Sequence, residues 1–315
     1  MALSNESFTG KYLDGRTLDK IKRMDVRARL VVEGFITGSH RSPYHGFAVE
    51  FAAHREYAPG DDLRYIDWKV WSKTDRLYIK EFEEETNLKC HILLDRSRSM
   101  NYPDPETRGK KGDEPNWTKY DHAATTAASL AYLMQQQQDA VSLVLFSNQI
   151  DKQMKASTHP THLKTLFHEL EQTKCDETTE VSDAFFALAG QLRRRGMVIL
   201  ISDLLLPLED LKRSLEQFRL RRHEVIVMHV MHSDELTFPF DENTLFKGME
   251  VQTELLTEPR ALRKAYLEAL ERHMLSVRKI CAATGIDYCL LDTSKPLDAA
   301  LSSYLNFRLR SRRKA

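Results

Sequence analysis

From residue 89 onward, short apolar runs alternate with amphipathic stretches, and this alternation restricts the chain to few architectures. Residues 90–94, 141–146, 197–201, 224–230 and 286–291 read as buried strands. Helical patterns fall between and after them: one entered at Thr118, then 160–173, 181–195, 208–221, 259–283 and 296–310. Strands separated by helices favour a mostly parallel sheet with helices on both faces, because each crossover returns the chain to the same end of the sheet. The expected class is therefore α/β. Residues 150–155 follow a turn at Asn148 and read as an antiparallel partner of the strand before them.

Several local signals set the boundaries. Thr118 and Asp121 have the spacing of a capping box, and Ala124, Ala127, Ala128, Ala131 and Met134 supply a packed face behind it. In 259–283, Leu262, Tyr266, Ala269, Leu270, Met274, Val277 and Cys281 hold one face, and Gly285 ends the helix. Residues 233–257, with Pro239, Gly248 and β-like pieces, read as an insertion, and the polar stretch 101–117 as a flexible loop.

Upstream of the alternation the character changes. Residues 16–36 form an amphipathic helix, with Ile21, Met24, Ala28, Val31, Val32 and Phe35 on one side. Residues 40–87 carry Pro43, Gly46, Pro59 and Gly60 between short β-like runs, as a small β-rich subdomain would. The reading divides the chain into 1–87, an N-terminal helix with a β-rich piece, and 88–315, an α/β domain.

Composition narrows the partners. The chain has 46 basic and 46 acidic side chains in 315 residues, so no global charge draws it to nucleic acid or an anionic membrane. Basic residues collect locally at Arg308, Arg310, Arg312, Arg313 and Lys314 and on helix 16–36, where solvated faces are the ordinary reading. Cys90, Cys175, Cys281 and Cys289 form no Cys-x-x-Cys pair and read as reduced thiols. No signal peptide and no apolar run near the ~18 residues of a bilayer span is visible. The expectation is a cytoplasmic protein without a membrane span.

The chemistry is concentrated at predicted strand ends. Asp95-Arg96-Ser97-Arg98-Ser99 follows the run Ile92-Leu93-Leu94 and reads Asp-x-Ser-x-Ser. Asp203 follows the strand 197–201, and Thr178 and Thr179 precede the helix 181–195. Ligands of open α/β sheets bind outside the carboxyl ends of the strands. Two carboxylates with several hydroxyls suit a hard cation such as Mg2+, which takes oxygen ligands in octahedral geometry. Arg96 and Arg98 put positive charge in the same turn, with Glu177 and Glu180 available to offset it. The bland reading of an Asp and Ser after a strand is a helix cap without metal.

This constellation resembles the metal-ion-dependent adhesion site (MIDAS) of von Willebrand factor A (vWA) domains, over about residues 88–292. The resemblance implies a vWA-like, Rossmann-type fold and names Asp95, Ser97, Ser99, Thr179 and Asp203 as metal ligands for Mg2+, Mn2+ or Ca2+. It also implies that an open coordination position takes a carboxylate from a partner protein. Thr179 is preferred to Thr178 because Glu-Val-Ser-Asp-Ala follows it. A longer signature lies upstream: Arg55-Glu56-Tyr57-Ala58-Pro59-Gly60-Asp61-Asp62-Leu63-Arg64-Tyr65-Ile66-Asp67-Trp68, with Lys80-Glu81 and the acid run Glu83 to Glu85. It resembles the prokaryotic family called domain of unknown function 58, over about Gly38 to Tyr304. That resemblance implies association with a MoxR-type AAA+ ATPase or its client, as adaptor or co-chaperone. Arg55, Asp61, Asp62, Arg64, Asp67 and Trp68 then form either a buried polar network or a second binding surface.

The reading favours a non-enzymatic interaction module. The alternatives are a metal-dependent phosphoester hydrolase and, behind it, a nucleic-acid-binding protein. No phosphate-binding glycine loop and no Gly-x-Ser-x-Gly elbow is present. His159 with His162, and His229 with His232, have spacings compatible with zinc but lack cysteine partners.

Overall fold

The computed structural model describes residues 23–39, 54–56, 71, 76–80, 88–103, 117–175, 188–192, 195–242, 244–249, 254–297, 300–304 and 306. Helix α1 is Met24–Ser39, and strands β1 (His54–Glu56) and β2 (Tyr78–Lys80) pair antiparallel. The remaining strands are β3 (Lys89–Asp95), β4 (Ala140–Phe146), β5 (Ile150–Gln153), β6 (Met197–Ser202), β7 (Glu224–Met231), β8 (Thr244–Lys247), β9 (Glu254–Thr257) and β10 (Asp287–Asp292). The helices after α1 are α2 (Lys119–Gln136), α3 (Pro160–Gln172), α4 (Leu208–Leu220), α5 (Ser233–Thr237) and α6 (Pro259–Thr284).

Among the described residues, the main sheet has six strands in the order β10-β7-β6-β3-β4-β5. All neighbours are parallel except β5, which runs antiparallel to β4. This is the expected α/β class with helices on both faces. Strand residues point alternately to two cores. Ile92 and Leu94 face one with Ala124, Ala127, Ala131 and Leu166, from α2 and α3. Leu93 faces the other with Leu211, Leu215, Phe218 and Val277, from α4 and α6. Strands buried on both faces are continuous apolar runs for this reason.

Helix α1 packs into the first of these cores through Met24, Ala28, Val31 and Val32, and the Arg27 guanidinium lies 5.3 Å from the centroid of the Trp117 ring. The compact units are accordingly 1–38 with 88–315, and 39–87, where the sequence puts a single division after residue 87. Thr118 forms the capping box with Asp121 that its spacing predicts. The insertion after β7 consists of α5 and the antiparallel β8–β9 hairpin. Residues 104–116 of the expected loop and 181–187 of the expected helix lie outside the described residues.

Helix α6 departs from its predicted single packed face. Of the seven residues on that face, only Val277 and Cys281 are fully buried. Part of the face meets the insertion, where Tyr266 packs tilted against Phe238 at 4.7 Å and Arg263 donates to the Phe238 and Phe240 carbonyls, and part lines an open groove through Leu270 and Met274. The first half of α6 therefore lies on this aromatic satellite, and its periodicity is shared between two partners. Gly285 closes the helix at φ 65°, in the left-handed region glycine tolerates. Among the described residues, no helix is long and apolar enough to cross a membrane, and all four cysteines are free thiols.

Gly196 enters β6 where an added Cβ would stand 2.5 Å from the Lys89 carbonyl oxygen. Backbone cannot yield there without breaking the β3–β6 register. Gly196→Ala is expected to destabilise the protein by about 1–3 kcal/mol, the ordinary cost of overpacking. Urea unfolding of the variant beside the natural chain measures it.

Candidate functional site

The register of β3 with β6 builds the site. Leu94 stands opposite Ile201, so the next residues, Asp95 and Ser202, lie side by side at the carboxyl edge. The chain leaves β3 for β4 on one side and returns through β6 on the other. The edge between β3 and β6 is thus the sheet's topological switch point, where open α/β folds bind ligands.

Asp95 is buried, and each of its oxygens is engaged. Oδ1 accepts the Ser97 amide at 2.8 Å, and Oδ2 accepts the Ser202 hydroxyl at 2.6 Å. The Ser97 and Ser99 hydroxyls are 3.0 Å apart and also buried. Asp203 follows β6 directly and is 1% exposed. The structure thus gathers four of the five predicted ligands, Asp95, Ser97, Ser99 and Asp203. Thr179 lies outside the described residues, as do Thr178, Glu177 and Glu180. Of the upstream network, Arg55 falls in β1, and Asp61, Asp62, Arg64, Asp67 and Trp68 lie outside the described residues.

A buried lysine sits in the same place. Lys119, the first residue of α2, donates from Nζ to Asp203 Oδ2 and to Glu235 Oε1, each at 2.8 Å, and its side chain is 1% exposed. Burial works against the ammonium, but the two carboxylates outweigh it and hold its pKa above the ordinary value. Asp203 is also opposed by burial, yet Lys119 and the Ser99 hydroxyl hold its pKa below the usual range. Among the described residues, Asp95 has no such cation. Burial, with Asp203 nearby, pushes its pKa up to about 7.

The donors are all oxygens, as a hard cation requires. Among the described residues, no three His, Cys, Asp or Glu side chains gather to hold a metal, so the set depends on two carboxylates assisted by hydroxyls. Asp203 is paired with Lys119, while Asp95 lies buried beside this second carboxylate without a comparable partner among the described residues. A divalent cation bound here would relieve the repulsion between the two carboxylates, and in this respect the residues fit the metal. Arg96 turns away toward Asp151 (3.5 Å), and Arg98 is exposed.

The turn after Asp203 is held rigidly. Leu204 is fully buried at φ 53°, a left-handed conformation uncommon for a non-glycine residue. Its amide donates to Ser202 Oγ. His229 Nε2 lies 2.9 Å from the Asp203 carbonyl and His273 Nε2 3.2 Å from that of Leu204. A ring nitrogen facing a carbonyl must carry the proton, so His229 donates through Nε2 and accepts the Tyr288 hydroxyl at Nδ1 (2.9 Å). The histidines singled out by spacing serve as structural donors and acceptors: His159 caps α3, His162 Nε2 bonds the Val141 carbonyl, and His232 caps α5.

Sequence reasoning missed Lys119, Glu235, Ser202 and the His229–His273 pair. Lys119 had one available signal. A lysine directly after an N-cap stands at the positive end of the helix dipole, where a cation is disfavoured unless something else holds it.

The chain belongs to the family described as "Protein of unknown function DUF58", whose model matches residues 53–276. It is similar to the uncharacterized proteins Rv1480 of Mycobacterium tuberculosis and Mb1516 of Mycobacterium bovis. Each is 24% identical over 302 residues, which cover 94% of this chain and 91% of the relative. Among solved structures it is similar to an aerotolerance-related membrane protein from Bacteroides fragilis, with 16% identity and a TM-score of 0.47 over 70% of this chain and 98% of that one. It is also similar to BatB from Bacteroides thetaiotaomicron, with 12% identity and a TM-score of 0.44 over 71% and 98%.

Ser202→Ala removes a donor to Asp95 and the acceptor of the Leu204 amide together. Leaving buried polar groups unpaired costs about 1–3 kcal/mol, which should appear as a lower denaturation midpoint at pH 7 in chelator.

Acid stability has a definite sign. Burial lowers His91, His122 and His229 to about 4 each, from an unfolded value near 6.5. Between those values the unfolded chain binds three protons that the native state refuses, so stability is full above pH 6.5 and lost as pH falls. Asp95 acts oppositely, holding one proton in the native state below about pH 7 that the unfolded carboxyl releases until about 3.8. The net is two protons, three minus one. Stability in chelator should fall by about 3 kcal/mol per pH unit at the steepest, near pH 5. Denaturant titrations from pH 7 to 4.5 measure it; a flat profile contradicts neutral buried histidines.

Proposed function

We propose that this protein is a vWA-like, non-enzymatic interaction module. Asp95, Ser97, Ser99 and Asp203, with Thr179, would hold a divalent cation, Mg2+ first and Mn2+ or Ca2+ in its place. When bound, such an ion supplies a coordination position for a carboxylate oxygen of a partner protein. The chain's own residues do the remaining work: the Ser97 amide and the Ser202 hydroxyl orient Asp95, and Lys119 holds Asp203 ionised.

The observation that supports this reading is the convergence, at the switch point of the sheet, of buried oxygen ligands that include two neighbouring carboxylates, Asp95 and Asp203. The proposed partner is a MoxR-type AAA+ ATPase or its client, and this part rests on the family resemblance of the upstream signature.

The alternative is metal-dependent phosphoester hydrolysis. It is favoured by the split between Asp95, raised by burial and by Asp203, and Asp203, lowered chiefly by Lys119 against its burial. Carboxylates whose environments push them apart can serve as acid and base. Metal-dependent turnover of p-nitrophenyl phosphate, lost in Asp95→Asn, would establish it.

Asp95→Asn keeps the shape and an acceptor for the Ser97 amide while removing the charge. The tagged protein should retain an AAA+ ATPase from its own lysate with Mg2+ and ATP. Retention should be lost with chelator, and in Asp95→Asn and Asp95→Ala, while their circular dichroism stays native. Equal recovery in every condition would overturn the proposal.

A further inference from the structure

The capping of α2 does not itself call for a lysine at position 119. Thr118 and Asp121 already satisfy the first turn, and the helix dipole repels a cation at that position. The side chain is nevertheless buried, fixed at its backbone by the amide's bond to the Tyr102 carbonyl (2.8 Å) and at its tip by two carboxylates. Those carboxylates are not equivalent. Asp203 belongs to the ligand set. Glu235 lies on the outer side, in α5, with its Oε2 accepting the His232 amide at 2.8 Å.

We propose that Lys119 is the resident cation of this site: it sets divalent affinity by competing for Asp203, and cation binding transfers its ammonium to Glu235. The inference rests on the metal-binding reading above and adds the residue that tunes it. An ammonium and a divalent ion sharing one buried carboxylate repel each other in a medium of low dielectric. Glu235 supplies a second seat within the present reach of Nζ, so Lys119 can give up Asp203 without becoming an unpaired buried charge. The transfer would register in α5 through the capping box that Glu235 closes on His232. Leu236, the next residue, lines an open groove of about 290 Å³ whose leucines and Met274 are joined by Glu271 and Arg278, so the event would reach the surface there.

The test is Mn2+ binding to the full-length chain, by electron paramagnetic resonance titration, in the natural protein, Lys119→Met, Glu235→Gln and Asp95→Asn. Lys119→Met should bind Mn2+ at least about tenfold more tightly, and Mn2+ should restore the Tm that the substitution lowers in chelator. Glu235→Gln should bind more weakly, because Lys119 then has Asp203 alone. Hydrogen exchange of residues 232–237 should change on adding Mn2+ in the natural protein and not in Lys119→Met.

Equal or weaker binding by Lys119→Met, or unchanged exchange in α5, overturns this inference and leaves the metal reading standing. Absence of Mn2+ binding from natural protein and Lys119→Met alike overturns both. Tightened binding without capture of any partner overturns the interaction module and keeps the role of Lys119. If Lys119→Met does not fold, Glu235→Gln decides, and an unchanged affinity overturns the inference.

Discussion

The structure depends on parallel pairing between β3 and β6, two strands far apart in sequence and buried on both faces. Their register is fixed because Cys90, Ile92 and Leu94 are committed to one core and Leu93 to the other. A slip of one residue would exchange Ile92 and Leu94 with Leu93 between cores of different shape. The same register sets Asp95 beside Ser202 without any further instruction. The position of the polar site is therefore a by-product of apolar packing, and its precision is inherited from two strands buried along nearly their whole length.

Burying charge at that position has consequences the chain distributes over several elements. Asp203 is compensated from α2, Lys119 is shared with α5, and the peptide carbonyls beyond β6 are met by histidines from β7 and α6. Almost every element around the switch point contributes one polar group. Such a network is favourable only when complete, since a single missing partner leaves a desolvated charge behind.

Much of this was legible in the sequence, and the boundary of legibility has a physical origin. The strands were readable because two-sided burial makes them uninterrupted apolar runs, as in Met197–Ser202. The cap at Thr118 was readable because its chemistry is local. Asp95, Ser97 and Ser99 were readable because they lie within five residues. Lys119 and Glu235 are 116 positions apart, and each alone looks like a surface charge on a helix. Their pairing is created by tertiary structure. The face of α6 misled for a related reason, since periodicity reports that a surface is covered and not by what. In its first half Tyr266 meets Phe238, which itself stacks on Phe246 of the hairpin.

Among the described residues, one rim of the main sheet ends in β5, four residues long, reading Ile-Asp-Lys-Gln and turned against the direction of the sheet's other strands. A long parallel strand in its place would offer a neighbour a row of free amides and carbonyls. This one is too short, too charged and wrongly oriented to extend the parallel array. That rim thus stops the sheet at the boundary of one molecule and discourages fibrous, edge-to-edge assembly of a strand-rich core at high concentration.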